Sequence, residues 1–195
     1  LYEFLDAVVD VAVWKEYLVV AYHNGDLSVY HKDKVVKSYS GLALCSVYHP
    51  TPGSQYTQFG RIFHLLDSGM VFFCLQKRKD EVVFINLQQK PIEIHHIPQA
   101  SVEELSCMSL YQVGAFDDPI LSPSKNIHNL FKSKTDWHGL KPSQLSLHPF
   151  ALYLLSSTNK ILKYGSASDD IIEYIIPQGE HWCHSISAFS EGVVL

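Results

Sequence analysis

The chain has 195 residues, of which 47% are apolar, 12% aromatic and 18% charged, with a formal net charge of −5. This composition excludes a disordered chain, because it supplies enough apolar surface to offset the entropy lost on ordering. The negative charge excludes an overall basic field that would attract nucleic acid, and no apolar run approaches the roughly 20 residues that a membrane-spanning helix needs.

The first predicted unit consists of four short strands, at residues 8–14, 17–22, 27–31 and 35–39. Asn24-Gly25 separates the second strand from the third, and this dipeptide is typical of hairpin turns because both central positions of a type I′ turn need positive φ. Connections this short can join only antiparallel neighbours. The sequence therefore predicts an antiparallel meander.

The second half of this unit recurs along the chain. Residues 82–99 (VVFINLQQKPIEIHHIPQ) and 161–178 (ILKYGSASDDIIEYIIPQ) share two short apolar runs, a polar turn and a closing Ile-Pro-Gln, and residues 27–41 are a shorter copy. A cysteine-containing apolar segment follows each copy, at residues 44–47, 106–110 and 182–186. Repeated units of short strands predict an all-β fold, a β-propeller of four-stranded antiparallel blades. The copies are predicted to be the outer two strands of successive blades, and the cysteine segments to begin the next ones.

The chain is predicted to be one propeller domain or part of one, with blade-like units at residues 8–40, 43–98 and 143–177 and the start of another at 182–195. In the second unit, residues 62–66 and 71–75 both qualify as the second strand. In the third, residues 145–149 (LSLHP) are predicted to be the innermost strand. Asn24, Asp67 and Ser157 are interpreted as equivalent turns, since their spacings of 43 and 90 residues are about one and two repeat periods.

The order of two strands, an Asn-Gly-Asp turn, a strand ending in an aromatic residue and an outer strand resembles a WD-repeat blade. Val29-Tyr30-His31-Lys32 and Leu162-Lys163-Tyr164-Gly165 stand where such blades commonly carry Trp-Asp. The Asp and the upstream Gly-His of the family are missing, so its hydrogen-bond network is not carried over. The resemblance covers most of the chain and implies a WD40-like propeller that binds other proteins.

The repeat plan breaks at residues 114–142. Residues 126–132 have the pattern of about two helical turns, with Ile127, Leu130 and Phe131 on one face. Two interpretations stay open. The segment is either a partner-binding insertion or a surface excursion whose apolar residues fold back on the strands.

Other candidates for partner contacts are two tryptophans and one basic run. Trp137 and Trp182 each lie beside a histidine, and tryptophan is enriched in interface hot spots. Lys77, Arg78 and Lys79 lie at a predicted hairpin tip. The basic run suits a phosphate or an acidic partner, but it is also typical of a soluble turn, and specific nucleic-acid binding needs a broader patch.

No metal or catalytic motif is present in the sequence. His95 and His96 are adjacent on a predicted strand, so their side chains point to opposite faces. His181, Cys183 and His184 lie closer together but lack the spacing of a zinc module. Nucleophile-elbow and phosphate-binding glycine motifs are also absent from the sequence. We therefore predict no catalytic residues, no cofactor and no metal.

The four cysteines are interpreted as buried, reduced thiols rather than disulfides, which favours an intracellular location, nuclear or cytoplasmic. We predict a non-catalytic scaffold or adaptor subunit that holds other proteins in a multi-subunit complex, without a membrane span or direct nucleic-acid contact. One alternative is a propeller that recognises a short peptide, such as a histone-like tail, in an acidic and aromatic central funnel. A second alternative is a metal-dependent enzyme with His181, Cys183 and His184 as ligands.

Overall fold

The computed structural model describes residues 6–45, 48–50, 57–59, 62–112, 149–165, 168–176, 186–189 and 192–194. Within these residues, all the regular secondary structure is β-strand. The strands are β1 (Val8–Trp14), β2 (Tyr17–Tyr22), β3 (Leu27–His31), β4 (Lys34–Tyr39), β5 (Tyr48–Pro50), β6 (Thr57–Phe59), β7 (His64–Leu65), β8 (Met70–Leu75), β9 (Asp80–Asn86), β10 (Ile94–Val102), β11 (Leu105–Gln112), β12 (Phe150–Ser156), β13 (Lys160–Gly165), β14 (Ser168–Ile175), β15 (Ser187–Phe189) and β16 (Gly192–Val194).

Twelve of these strands form three antiparallel sheets, each of four strands in chain order. Sheet 1 is β1–β4, sheet 2 is β7–β10 and sheet 3 is β11–β14, while β5–β6 and β15–β16 are two-stranded hairpins. The predicted antiparallel meander is therefore confirmed. The described sheets do not close into a ring. Among the described residues, the structure contains no helix that could span a membrane.

The repeat in the sequence corresponds to the third and fourth strands of each sheet. These pairs are β3–β4, β9–β10 and β13–β14, each closed by antiparallel pairing. The segment that contains Cys107 is β11, which begins sheet 3 as predicted. The segment that contains Cys183 lies mostly outside the described residues.

Sheet 2 settles which of two segments is its second strand. β8 occupies that position, between β7 and β9. Two segments pair with the same edge of β8, the edge away from β9. Leu44 pairs with Leu75, and β7 pairs with residues 71–72. Beyond Cys45 the chain leaves this edge, and β5 pairs with β6 instead. Pro50 fits this strand end, since a proline has no N–H for a longer ladder.

The prediction that residues 145–149 form the innermost strand of the third unit was wrong. β11 pairs with β12 from Leu105↔Ser156 to Gln112↔Phe150 and occupies that edge. Only two residues separate β10 from β11, and Glu104 takes a positive φ of 84° to make the turn. The irregular segment is therefore inserted between the first and second strands of sheet 3. Residues 113–148 lie outside the described residues, including the predicted helix at residues 126–132.

The equivalence of Asn24, Asp67 and Ser157 was also wrong. Asn24 and Ser157 lie in turns between second and third strands, but Asp67 lies between the first and second strands of sheet 2. The true counterpart in sheet 2 is the turn at residues 76–79. Asparagine, aspartate and serine favour turns of any kind, so their spacing alone does not identify equivalent turns.

The sheets stack face to face, with one apolar cluster at each seam. In β8, Met70, Phe72 and Cys74 point into the cluster shared with sheet 3, whereas Val71 and Phe73 point into the cluster shared with sheet 1. Every residue of β8 is buried. A strand that is covered on both faces is a continuous apolar run rather than an alternation, as in MVFFCL. A third cluster covers the far face of sheet 3 and includes Ile186.

Candidate functional site

The first strands of the three sheets meet at a cleft of about 740 Å³. β1 contributes residues 10–14, sheet 2 contributes residues 63–67, and the end of β11 contributes Leu110 and Gln112. This volume lies within the ~300–1,000 Å³ that is typical of ligand sites. The cleft is the candidate functional site because all three sheets contribute to it.

Hydrogen bonds connect the three sheets at one end of the cleft. The indole Nε1 of Trp14 donates to the backbone oxygen of Asp67 at 2.8 Å. The Gln112 amide Nε2 donates to the Asp67 carboxylate at 2.5 Å, and the Asp67 backbone N–H donates to Gln112 Oε1 at 3.1 Å. Since Trp14 belongs to sheet 1, Asp67 to sheet 2 and Gln112 to sheet 3, we call these residues the three-sheet junction.

Gly69 makes room for the indole of this junction. It takes a positive φ of 81°, and a Cβ at this position would lie 2.8 Å from Trp14 Cε2. On the indole, the Lys15 ammonium lies 4.4 Å from the ring centroid, a cation–π contact. Trp14 is therefore held by a hydrogen bond, a close backbone approach and a cation.

Asp10 joins sheet 1 to sheet 2 further along the cleft. One of its carboxylate oxygens accepts hydrogen bonds from the backbone N–H groups of Ile62 and Phe63 at 2.6 and 2.9 Å. The other accepts from the N–H of Val11 at 2.8 Å. These bonds satisfy backbone groups just before β7 that have no partner in a sheet.

The wall that β1 contributes is apolar and open. Val11 is 47% exposed and Val13 is 61% exposed, while Ala12 between them is buried in the seam with sheet 2. Valine side chains are usually buried in strands. The cleft thus combines exposed aliphatic groups with two carboxylates, Asp10 and Asp67, that bond backbone or amide donors.

Both carboxylates of the cleft, those of Asp10 and Asp67, take part in hydrogen bonds between the sheets. A general base or nucleophile must be free to reach a substrate proton or carbonyl. Asp10 and Asp67 instead hold the sheets together. Within the described ranges, no three His, Cys, Asp or Glu residues are grouped closely enough to hold a metal ion. The predicted cluster of His181, Cys183 and His184 lies outside those ranges.

The structure places the predicted basic run in the β8–β9 turn, where Lys77, Arg78 and Lys79 are all exposed. Lys77 Nζ lies 2.8 Å from Glu81 and Lys79 Nζ lies 3.6 Å from Glu103. Two of the three cations therefore have a neighbouring carboxylate, which reduces the local positive field. The run does not reach the cleft. The other predicted contact residues lie outside the described residues: Trp137, Trp182, Ile127, Leu130 and Phe131.

His95 and His96 point to opposite faces of β10, as the sequence predicted. His95 is buried against Phe84 and bonds Gln89 Oε1 at 2.9 Å, whereas His96 is exposed and lies 3.1 Å from Glu81. Burial, together with the nearby charge of His96, lowers the pKa of His95 to about 4. A buried neutral histidine makes folding sensitive to acid.

We expect His95 to weaken the fold as the pH falls. Above the ordinary pKa of about 6.5, both folded and unfolded chains hold it neutral. Between about pH 6.5 and 4 only the unfolded chain takes up the proton, so the free energy of unfolding falls by about 2–3 kcal/mol. Urea unfolding at about pH 7 and 4.5 measures this loss. In His95→Gln this pH-dependent loss of unfolding free energy should be smaller by about 2 kcal/mol, whereas in His96→Gln most of the loss should remain. An unchanged loss in His95→Gln would contradict the assignment.

Comparisons with known proteins find solved structures that are similar to this chain but no sequence family that matches it. No family model matches the chain, and no curated protein matches it significantly. The solved WD40 domain of Neurospora crassa Pan2 is similar, with a TM-score of 0.44 and 13% identity over 94% of this chain and 41% of that chain. A chain of the S. cerevisiae assembly of Dbp5 with Nup159, Gle1, IP6 and ADP has a TM-score of 0.31 and 9% identity, over 97% of this chain and 60% of that one. This chain therefore spans less than two thirds of either structure.

Proposed function

We propose that the chain is a non-catalytic interaction module, a propeller or part of one, that acts as a scaffold for other proteins inside a multi-subunit complex. The observation that carries this proposal is the pair of exposed valines, Val11 and Val13, on the wall of the cleft. Aliphatic groups left open to water in a concave site gain free energy when a partner covers them.

The frame around the cleft supports a binding role. Each seam between sheets contains a large apolar cluster, and the three-sheet junction and Asp10 add hydrogen bonds across the same seams. Walls that are fixed in this way lose little conformational entropy when a partner binds. A preorganised cleft is what a scaffold needs to hold its partner in one orientation.

A second candidate function is recognition of a short peptide in the cleft. Its supporting observation is the acidic and aromatic lining formed by Asp10, Asp67, Trp14 and Phe63. No lysine or arginine is among the described residues that line the cleft. A segment with apolar and basic side chains would complement this surface.

Replacing Val11 and Val13 together by serine is expected to weaken partner binding at least about tenfold. The reason is that covering each valine side chain contributes roughly 1 kcal/mol to the binding free energy. The matched control is Val35→Ser with Val36→Ser, since these valines are exposed on β4 and away from the cleft. Quantitative mass spectrometry of proteins that co-purify with each form measures the difference, and circular dichroism confirms folding.

If the chain is a scaffold, stoichiometric partners should co-purify with the wild type and with the control, and they should be lost from the Val11→Ser, Val13→Ser variant. Equal recovery by both variants would exclude the cleft as the binding surface. Recovery of the intact wild-type protein as a stable, partner-free monomer would overturn the scaffold proposal. A peptide reader instead predicts that labelled basic peptides bind to the purified protein and that acidic ones do not.

A further inference from the structure

Two cysteines lie opposite each other at the edge of sheet 2, where residues 43–45 pair with the end of β8. Leu44 pairs with Leu75, which places Cys45 opposite Cys74, and the Cys45 N–H donates to the Cys74 carbonyl at 2.9 Å. The adjacent Gln76 N–H donates to the Ala43 carbonyl at 2.6 Å. Directly opposite residues of an antiparallel pair lie about 4.5–5.5 Å apart at Cα, with their side chains on one face. This separation falls within the range that a disulfide spans.

The side chains of these two residues pack in the same apolar cluster. Cys74 is a buried member of the cluster between sheets 2 and 3, and Cys45 is partly buried against the same cluster. The neighbouring Cys45 and burial raise the pKa of Cys74, so Cys74 keeps its proton, and Cys45 is the more exposed of the two residues. Cys74 is 1% exposed and Cys45 is partly exposed. An oxidant therefore reaches Cys45 first.

We propose that Cys45 and Cys74 are an oxidative modification site that closes a reversible disulfide in the presence of a peroxide. In the first step the Cys45 sulfur attacks one peroxide oxygen, the O–O bond breaks, and water leaves to give a sulfenic acid. In the second step the Cys74 sulfur attacks the Cys45 sulfur, the S–O bond breaks, and the hydroxyl leaves as water with the Cys74 proton. Two thiols lose two electrons in total, and one peroxide becomes two waters.

The bond would fix the edge at which the chain departs from sheet 2. The Leu44–Leu75 bridge and its two backbone hydrogen bonds pair residues 43–45 with β8. The chain then leaves towards β5, β6 and the segment that returns at β7. A covalent tie at Cys45 limits the opening of this edge, because it removes the separated states from the ensemble.

The test uses the full chain, purified in reductant, desalted and treated with hydrogen peroxide. Blocking of the remaining thiols, protease digestion without reduction and mass spectrometry identify linked peptides. We expect one linkage between Cys45 and Cys74, loss of two titratable thiols per chain, and their recovery with dithiothreitol. Hydrogen exchange should show the Gln76 amide slowed at least about tenfold in the oxidised form.

Variants test the pairing. Cys45→Ser and Cys74→Ser should each abolish the linkage, whereas Cys107→Ser should retain it, because Cys107 points into the cluster on the far face of sheet 3. A folded wild-type chain that yields no Cys45–Cys74 peptide after oxidation would overturn the proposal, as would a dominant linkage that involves Cys107 or Cys183. If a serine variant fails to fold, the peptide map of the wild type still decides the question.

Discussion

Gly69→Ala is expected to lower the free energy of unfolding by about 2–4 kcal/mol, while Gly41→Ala lowers it by about 1 kcal/mol. Both glycines have positive φ, 81° and 66°, so both substitutions incur similar backbone strain. They differ in what the new methyl group meets. At Gly69 it would lie 2.8–2.9 Å from three atoms of the Trp14 ring, and at Gly41 nothing lies within 4 Å.

The extra cost at Gly69 comes from the three-sheet junction. An indole pushed away from Gly69 would lose its hydrogen bond to the Asp67 carbonyl, and the neighbouring bond between Asp67 and Gln112 would be disturbed. Equilibrium urea denaturation of both variants measures the difference. Combining Gly69→Ala with Trp14→Leu should cost about 1 kcal/mol less than the sum of the single changes, because the smaller side chain relieves the clash. Equal losses at Gly69 and Gly41 would exclude the steric explanation.

Local patterns in the sequence were sufficient to predict the strands and turns of sheet 1. The alternation in residues 27–31 and the Asn24-Gly25 turn depend on neighbours in the chain, and the structure has β3 and a turn over residues 23–26 there. The turn is not type I′, because φ is positive at Gly25 but not at Asn24. The repeat predicted the third and fourth strands of each sheet for the same reason. β-Propensity and turn chemistry act within a few residues.

The candidate site could not be predicted in this way. Trp14 and Asp67 are 53 residues apart, and Asp67 and Gln112 are 45 apart, so their contacts exist only once the sheets have stacked. Residues 145–149 have an acceptable strand pattern, and no local signal shows that β11 already occupies that edge. The position of Trp14 at the end of a valine-rich strand was the one available hint, because a buried indole N–H needs an acceptor.

Phe72→Ala and Phe73→Ala are each expected to lower the free energy of unfolding by about 3–5 kcal/mol, which corresponds to a drop in Tm of roughly 8–15 °C. Both side chains are fully buried, and they are neighbours on β8. Phe72 packs against Phe84, Phe150 and Tyr164 with ring centroids 5.6–6.5 Å apart. Phe73 meets Phe63 edge to face at 6.0 Å on the opposite side of the strand.

The two changes should therefore weaken different seams. Phe72→Ala opens a cavity between sheets 2 and 3, so amide exchange should accelerate more in β12 and β13 than in β2 and β3. Phe73→Ala opens one between sheets 1 and 2, and the pattern should reverse. The pair controls for strand, residue type and burial, so the comparison tests the seam into which each side chain points. Identical exchange patterns in the two variants would mean that the sheets do not stack as separate layers, and the cleft where their first strands meet would lose its structural basis.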